Sequence, residues 1–184
     1  MKIIATELKG LLIIEPDVFP DSRGYFFESY SLQKYKTNEI PMAFIQDNIS
    51  KSKKGTIRGL HYQVAKNSQG KLCQVILGNV LDVAVDIRFN SPTFGKYFSI
   101  ELSDLNHKQL WIPPGFAHGF SVLSDEVIFH YKCTAYYSKA DERSIRYDDP
   151  QLNIDWKTEN PVVSEKDISA KYLKEIDKDF IYQE

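Results

Sequence analysis

The chain carries only two cysteines, Cys73 and Cys133, in 184 residues. Such a pair builds no disulfide framework, and its spacing fits no zinc motif. Both cysteines stand in apolar, strand-like stretches and read as small buried hydrophobes. Long hydrophobic runs are also lacking, so no segment is suited to span a bilayer. The opening Met1-Lys2-Ile3-Ile4-Ala5-Thr6-Glu7 contains no secretory apolar region. A reducing cytoplasm is the expected compartment. Neither sign of charge dominates: 23 Lys and Arg against 25 Asp and Glu leave a formal net charge of −2. No global field therefore draws the chain to nucleic acid or to an anionic membrane, and an anionic ligand must be held by a local cluster. Repeats, low-complexity tracts and linkers are missing, so residues 1–184 read as a single domain, long enough to bury a full core.

Aromatic residues are plentiful, with 11 Tyr and 11 Phe, which favours β structure and stacking surfaces. Short apolar segments recur at Leu11–Ile14, Tyr25–Phe27, Leu72–Leu77, Val80–Ile87, Tyr97–Leu102, Gln109–Ile112 and Val127–Ala135. Turn residues separate them, as in an antiparallel sandwich or barrel. Leu81-Asp82-Val83-Ala84-Val85-Asp86-Ile87-Arg88 alternates as a strand with two unlike faces. Leu72–Leu77, Gly78-Asn79 and Val80–Ile87 together predict a hairpin. Helix signals are sparse. Ser31–Glu39 predicts a short helix, and Ser164 predicts the start of a longer one, with Asp167 completing a capping-box-like opening before Ile168, Tyr172, Leu173 and Ile176.

The chemistry concentrates between Arg58 and Lys71. Arg58-Gly59-Leu60-His61-Tyr62-Gln63 and Gln69-Gly70-Lys71-Leu72 supply a guanidinium, an imidazole and an amine. Those groups can grip an anion, move a proton near neutral pH and stabilise an oxyanion. The same residues also read as a hairpin with ordinary surface charge.

These two segments are similar to the central motifs of the dTDP-4-dehydrorhamnose 3,5-epimerase family. The resemblance covers almost the whole chain. It continues through Asp21-Ser22-Arg23-Gly24-Tyr25-Phe26-Phe27-Glu28, Gln46-Asp47-Asn48, Ser91-Pro92-Thr93-Phe94-Gly95 and Trp111-Ile112-Pro113-Pro114-Gly115-Phe116-Ala117-His118-Gly119-Phe120. Tyr131-Lys132-Cys133-Thr134, Asp148-Asp149-Pro150, Ile154-Asp155-Trp156 and Ser164-Glu165-Lys166-Asp167 close it in the same order. The resemblance implies a mainly β, cupin-type antiparallel barrel or jelly roll with a few short helices, one near the C-terminus. It implies epimerisation at C3 and C5 of dTDP-4-dehydro-6-deoxy-D-glucose through an enolate, on the route to dTDP-L-rhamnose. Pro113-x-Gly115-x-x-His118 resembles the second cupin motif, but the first offers only His61, so the usual set of three or four metal ligands is not completed. No metal and no other cofactor is expected.

By the resemblance, His61 is the base, Asp167 orients its ring, Tyr131 is the acid on the opposite face, and Lys71 stabilises the enolate oxygen. Each has a plainer reading: a hydrogen-bonded barrel histidine, a helix-capping aspartate, a cross-strand aromatic and a strand-end lysine whose head reaches solvent. Asp82 and Asp86 are alternative orienters of His61, or simply a solvated polar face. The resemblance assigns Arg23, Glu28, Gln46, Asp47, Asn48, Arg58, His118, Glu142 and Lys166 to the nucleotide sugar. Tyr137 would stack on the base, with Tyr136 as its neighbour and rival. A homodimer is implied because some contacts in the family come from a partner's N-terminal segment. A C3-only or C5-only epimerase shares nearly all these motifs. A metal-dependent cupin and a non-catalytic sugar-nucleotide-binding module are the remaining readings.

Overall fold

Alternation of inward and outward side chains on short strands produces two antiparallel sheets packed face to face. The structure is a computed structural model, and it describes residues 1–38, 40 and 43–183. The strands are β1 (Lys2–Ala5), β2 (Leu12–Glu15), β3 (Val18–Asp21), β4 (Gly24–Phe27), β5 (Gln46–Lys53), β6 (Ile57–Gln63) and β7 (Lys71–Leu77). They continue as β8 (Asn79–Asp86), β9 (Tyr97–Ser103), β10 (Gln109–Ile112), β11 (Phe116–Val122), β12 (Glu126–Cys133) and β13 (Glu142–Ser144). One sheet runs β1-β2-β10-β7-β12-β5, the other β13-β6-β11-β8-β9, and β3 and β4 form a separate ribbon. This is the mainly β jelly roll expected from the sequence.

Three apolar layers hold it. Between the sheets lie Val75, Val80, Leu102, Leu110, Phe116, Phe120 and Phe129, all buried. The outer face of the second sheet presents Val83, Val85, Ile87 and Ala117, covered by Leu152, Trp156 and Leu173 from the C-terminal region. Leu12, Ile14, Leu72 and Trp111 pack beneath Tyr35 and Ile40 on the outer face of the first.

The predicted hairpin across Gly78-Asn79 does not form. β7 pairs with β10 and β12, whereas β8 pairs with β9 and β11 in the opposite sheet. Gly78 (φ +81) makes a corner instead, and a Cβ there would stand 2.2 Å from the Glu126 carbonyl oxygen. The residues that look like hairpin punctuation therefore carry the chain from one sheet to the other.

The predicted C-terminal helix is also cut short. Only α2 (Glu165–Ile168) and a single 3₁₀ turn at Leu173–Glu175 form. Leu173 and Ile176 bury into the outer layer without helical continuity. Of the predicted Ser31–Glu39 helix, α1 spans Leu32–Lys36, and Glu39 lies outside the described residues. Asp82 and Asp86 form no solvated face, since both are fully buried. Asp86 accepts hydrogen bonds from Arg88, Ser91 and Thr93. Burial opposes its ionisation, but these donors outweigh it and hold the carboxyl below the usual range. The Ser91–Gly95 motif thus serves the fold.

Candidate active site

A cavity of about 390 Å³ opens between the sheets, with Asn48, Ser50, Arg58, His61, Lys71, His118, Phe120 and Tyr131 on its walls and Asp47 and Ile49 at its lining. β5, β7 and β12 supply one wall, β6 and β11 the other. β5 is polar on both faces, with Asn48, Ser50 and Ser52 turned inward in alternation. A polar inner face on an edge strand widens the barrel at this end instead of filling it.

The second wall depends on an irregularity. His118 on β11 is opposite His61, but Phe120 is opposite Arg58, so β6 carries one extra residue at this point. The insertion places Arg58 and His61 on the same inner face, which strict alternation forbids. Gly59 (φ +130) occupies the irregular step, and a Cβ on it would meet Gly119 Cα at 2.5 Å. Only glycine permits the two backbones to approach so closely.

His61 Nε2 lies 2.6 Å from Asp167 Oδ1. Asp167 sits in the first turn of α2, where its backbone N–H donates to the Ser164 side chain at 3.2 Å. Its second oxygen accepts from Gly59 N–H at 3.4 Å. Ser164 is thus the cap of the helix, and the Asp167 carboxylate is taken up by His61 and Gly59, so it orients the ring and does not cap. Burial opposes its charge, but the His61, Gly59 and Ser164 donors more than offset this and hold its carboxyl below the ordinary range. An ionised carboxylate only accepts, so His61 donates to it through Nε2, and in the neutral ring the lone pair then falls on Nδ1.

Lys71 is 8% exposed, so the reading of a lysine reaching solvent does not hold. Its ammonium donates to the His61 carbonyl at 3.3 Å and lies 5.8 Å from the centre of the Tyr131 ring. Burial, with smaller contributions from Cys133 and Cys73, pushes the Tyr131 phenol up to about 12. It is consequently a protonated donor across the neutral range. His118 stands beside these groups with Nε2 at 2.7 Å from Asp82 Oδ1. Burial holds its imidazole below the usual value despite that carboxylate. Asp82 orients His118, not His61.

A second hollow of about 430 Å³ is lined by Arg58, His61, Val162, Ser164, Lys166 and Asp167, so the two spaces share Arg58 and His61. Arg58 donates through Nε to Ser52 Oγ at 3.0 Å. The rest of its planar fork has no protein partner among the described residues and suits a diphosphate. Nearby, Glu142 pairs with Lys166 at 2.5 Å and accepts from the Tyr137 hydroxyl at 3.2 Å. Tyr137 is 52% exposed and Tyr136 65%. Gln46 links this group to the cavity, accepting from Tyr137 N–H and donating to Asn48. Asp47 is held by Lys132 at 2.8 Å.

Arg23 and Glu28 are not brought to this cavity. Arg23 pairs with Asp21 on the β3–β4 ribbon, and Glu28 pairs with Lys34. That ribbon belongs to neither main sheet and leaves Phe19, Tyr25 and Phe26 more than half exposed. Ser50, Ser52 and Phe120 were not expected at the site. Strand parity could have found them: Phe120 follows His118 by two, and Ser50 follows Asn48 by two.

Residues 5–175 match the family model described as dTDP-4-dehydrorhamnose 3,5-epimerase. The dTDP-4-dehydrorhamnose 3,5-epimerase of Shigella flexneri is 51% identical over 182 residues, covering 98% of this chain and 99% of the relative. The dTDP-6-deoxy-D-glucose-3,5-epimerase of Legionella pneumophila Philadelphia 1, solved in complex with dTDP-4-keto-L-rhamnose, superposes with a TM-score of 0.95. It is 49% identical, and the match covers 100% of this chain and 99% of that one. A dTDP-4-dehydrorhamnose 3-epimerase of Streptomyces niveus is 32% identical over 176 residues, 95% of this chain and 85% of the relative.

Proposed function

Since this chain belongs to the dTDP-4-dehydrorhamnose 3,5-epimerase family, we propose that it inverts C3 and C5 of dTDP-4-dehydro-6-deoxy-D-glucose, giving dTDP-4-dehydro-L-rhamnose. The observation that carries this reading is the single cavity shared by His61, Lys71 and Tyr131. Protons on carbons beside a ketone are acidic because the carbanion spreads onto the carbonyl oxygen. Inversion then requires a base on one face, an acid on the other and a cation at that oxygen.

His61 removes the proton through the nitrogen that Asp167 leaves unprotonated. The Lys71 ammonium meets the charge that develops on the C4 oxygen. Tyr131 returns a proton to the opposite face, because its phenol retains one at neutral pH. Arg58 holds the pyrophosphate. Gln46, Asp47, Asn48, His118, Glu142 and Lys166 contact the nucleotide sugar, and Tyr137 stacks on its base. Arg23 and Glu28 serve the cavity of a second copy, in a homodimer joined through the exposed ribbon of Phe19, Tyr25 and Phe26. The reading needs neither metal nor other cofactor. It places a single-domain enzyme in the cytoplasm, upstream of a rhamnose-bearing lipopolysaccharide or other cell-surface polysaccharide.

Incubation with substrate in deuterated water tests it. Deuterium should enter at both C3 and C5. Label at one carbon alone would replace the reading with a mono-epimerase, the activity named for the Streptomyces niveus relative.

A further inference from the structure

Beside the groups given roles above lies a second constellation drawn from both sheets. Cys73 on β7, Asp82 on β8 and His118 on β11 offer a thiol, a carboxylate and an imidazole whose ligand atoms all lie within 4.8 Å of one another. Cys73 and Asp82 are fully buried, and His118 is 6% exposed. His118 Nε2 is 2.7 Å from Asp82 Oδ1 and 3.7 Å from Cys73 Sγ. The other oxygen of the same carboxylate, Asp82 Oδ2, is buried without a hydrogen-bond partner among the described residues. A buried carboxylate oxygen left unpaired is costly, and a cation bound there would satisfy it.

We propose that Cys73, Asp82 and His118 form a binding site for a thiophilic divalent cation of the zinc and cadmium class, and that its occupation stops turnover by withdrawing His118 from the sugar. Thiolate, imidazole and carboxylate are the ligands such ions take, and three of them leave a fourth position for water. With metal–sulfur and metal–nitrogen bonds of about 2.3 and 2.0 Å, a tetrahedron sets the two ligand atoms roughly 3.5 Å apart. The observed sulfur–nitrogen separation of 3.7 Å already approaches that geometry. The 2.7 Å between Nε2 and Oδ1 is a hydrogen-bond spacing, and it opens by about 0.7 Å as the ion replaces the shared proton.

The balance is simple. The Cys73 S–H bond breaks and its proton leaves to solvent, while the imidazole proton moves from Nε2 to Nδ1. Bonds form from the metal to Sγ, Nε2 and a carboxylate oxygen, and no electron is transferred. Entry is from the cavity, which His118 lines. The Lys71 ammonium acts on both Cys73 and His118, so the ion binds against like-charge repulsion and less tightly than in a closed structural zinc site. The inhibitory half of the proposal rests on the epimerase reading, and the binding half does not.

The full chain, stripped with a chelator, should develop the ultraviolet thiolate-to-cadmium band when titrated with Cd²⁺, saturating at one ion per chain, and Zn²⁺ should displace it. Cys73→Ala and Cys73→Val should both lose the band and bind at least about tenfold more weakly, whereas Cys133→Ala should keep it. Zn²⁺ should suppress epimerisation by the unaltered chain, chelator should restore it, and the Cys73 variants should be at least about tenfold less sensitive. No band, or a band that persists without Cys73 and vanishes without Cys133, overturns the site. A saturated site with undiminished turnover overturns the inhibition. A chain that shows the Cys73-dependent band but never epimerises the sugar upholds the cation site and removes the epimerase reading.

Discussion

Arg58 and His61 sit an odd number of positions apart on β6 and nevertheless face the same cavity, because the strand gains a residue opposite His118 and Phe120. The groups proposed above to hold the pyrophosphate and to act as base are brought together by that local slip. Gly59→Ala should disrupt it, since both atoms nearest the new Cβ belong to backbone and cannot swing away. A destabilisation of about 1–3 kcal/mol or more is expected, from strain and overpacking together. Thermal melting should show a lower midpoint, and the folded fraction should lose turnover. An unchanged midpoint would remove the close-approach argument.

His61→Ala should leave the fold intact and lower kcat by about 10²–10⁴-fold, the range that a positioned acid or base commonly supplies. Circular dichroism with steady-state turnover checks both halves. Near-normal turnover in the folded variant would mean that another group takes the proton.

Tyr131→Phe separates proton removal from inversion. With His61 still in place, substrate in deuterated water should go on exchanging its α-protons, while net epimerisation falls sharply. A base that returns deuterium to the face it came from labels the sugar without inverting it. Loss of exchange in parallel with inversion would tie Tyr131 to the first step.

Asp167→Asn should lower kcat more than it raises KM, because the carboxylate acts through the His61 ring that it holds. It should also alter the acid stability of the protein. The folded state holds the Asp167 carboxyl below its ordinary value, despite burial, through donors that include His61. Folding therefore favours the ionised form. That contribution is fully present above the unfolded value of about 3.9 and is lost as pH falls through the lower folded value. Melting curves across this acid window should be flatter with pH in the variant than in the parent. Parallel curves would argue against a depressed carboxyl.

Lys71→Gln should cost about 10²–10³-fold in kcat if the ammonium meets the enolate oxygen, as removal of one oxyanion donor does elsewhere. A smaller loss confined to KM would make Lys71 a binding residue only.

Much of the architecture was legible from periodicity. Leu81–Arg88 alternates, and Tyr97–Leu102 and Gln109–Ile112 coincide with strands to within a residue. β5 was harder to see because Gln46–Lys53 has polar side chains on both faces, a pattern that suits a cavity wall and is rare in a core strand. Gly78-Asn79 misled because a glycine corner between sheets and a two-residue hairpin turn call for the same residue types. The α2 opening was readable from Ser164 and Asp167, but not its early end, since Leu173 and Ile176 meet the outer apolar layer from extended and 3₁₀ backbone. At the site, the motifs pointed to His61, Lys71, Tyr131 and Asp167, while the pairing of Asp82 with His118 follows only from strand order in the folded sheet.

The carboxylate that aligns His61 arrives from 106 positions farther along the chain. A nascent polypeptide emerging from the ribosome could thus assemble both sheets and still hold a freely turning imidazole. Its reactivity would switch on only when the later α2 segment docks across the finished barrel.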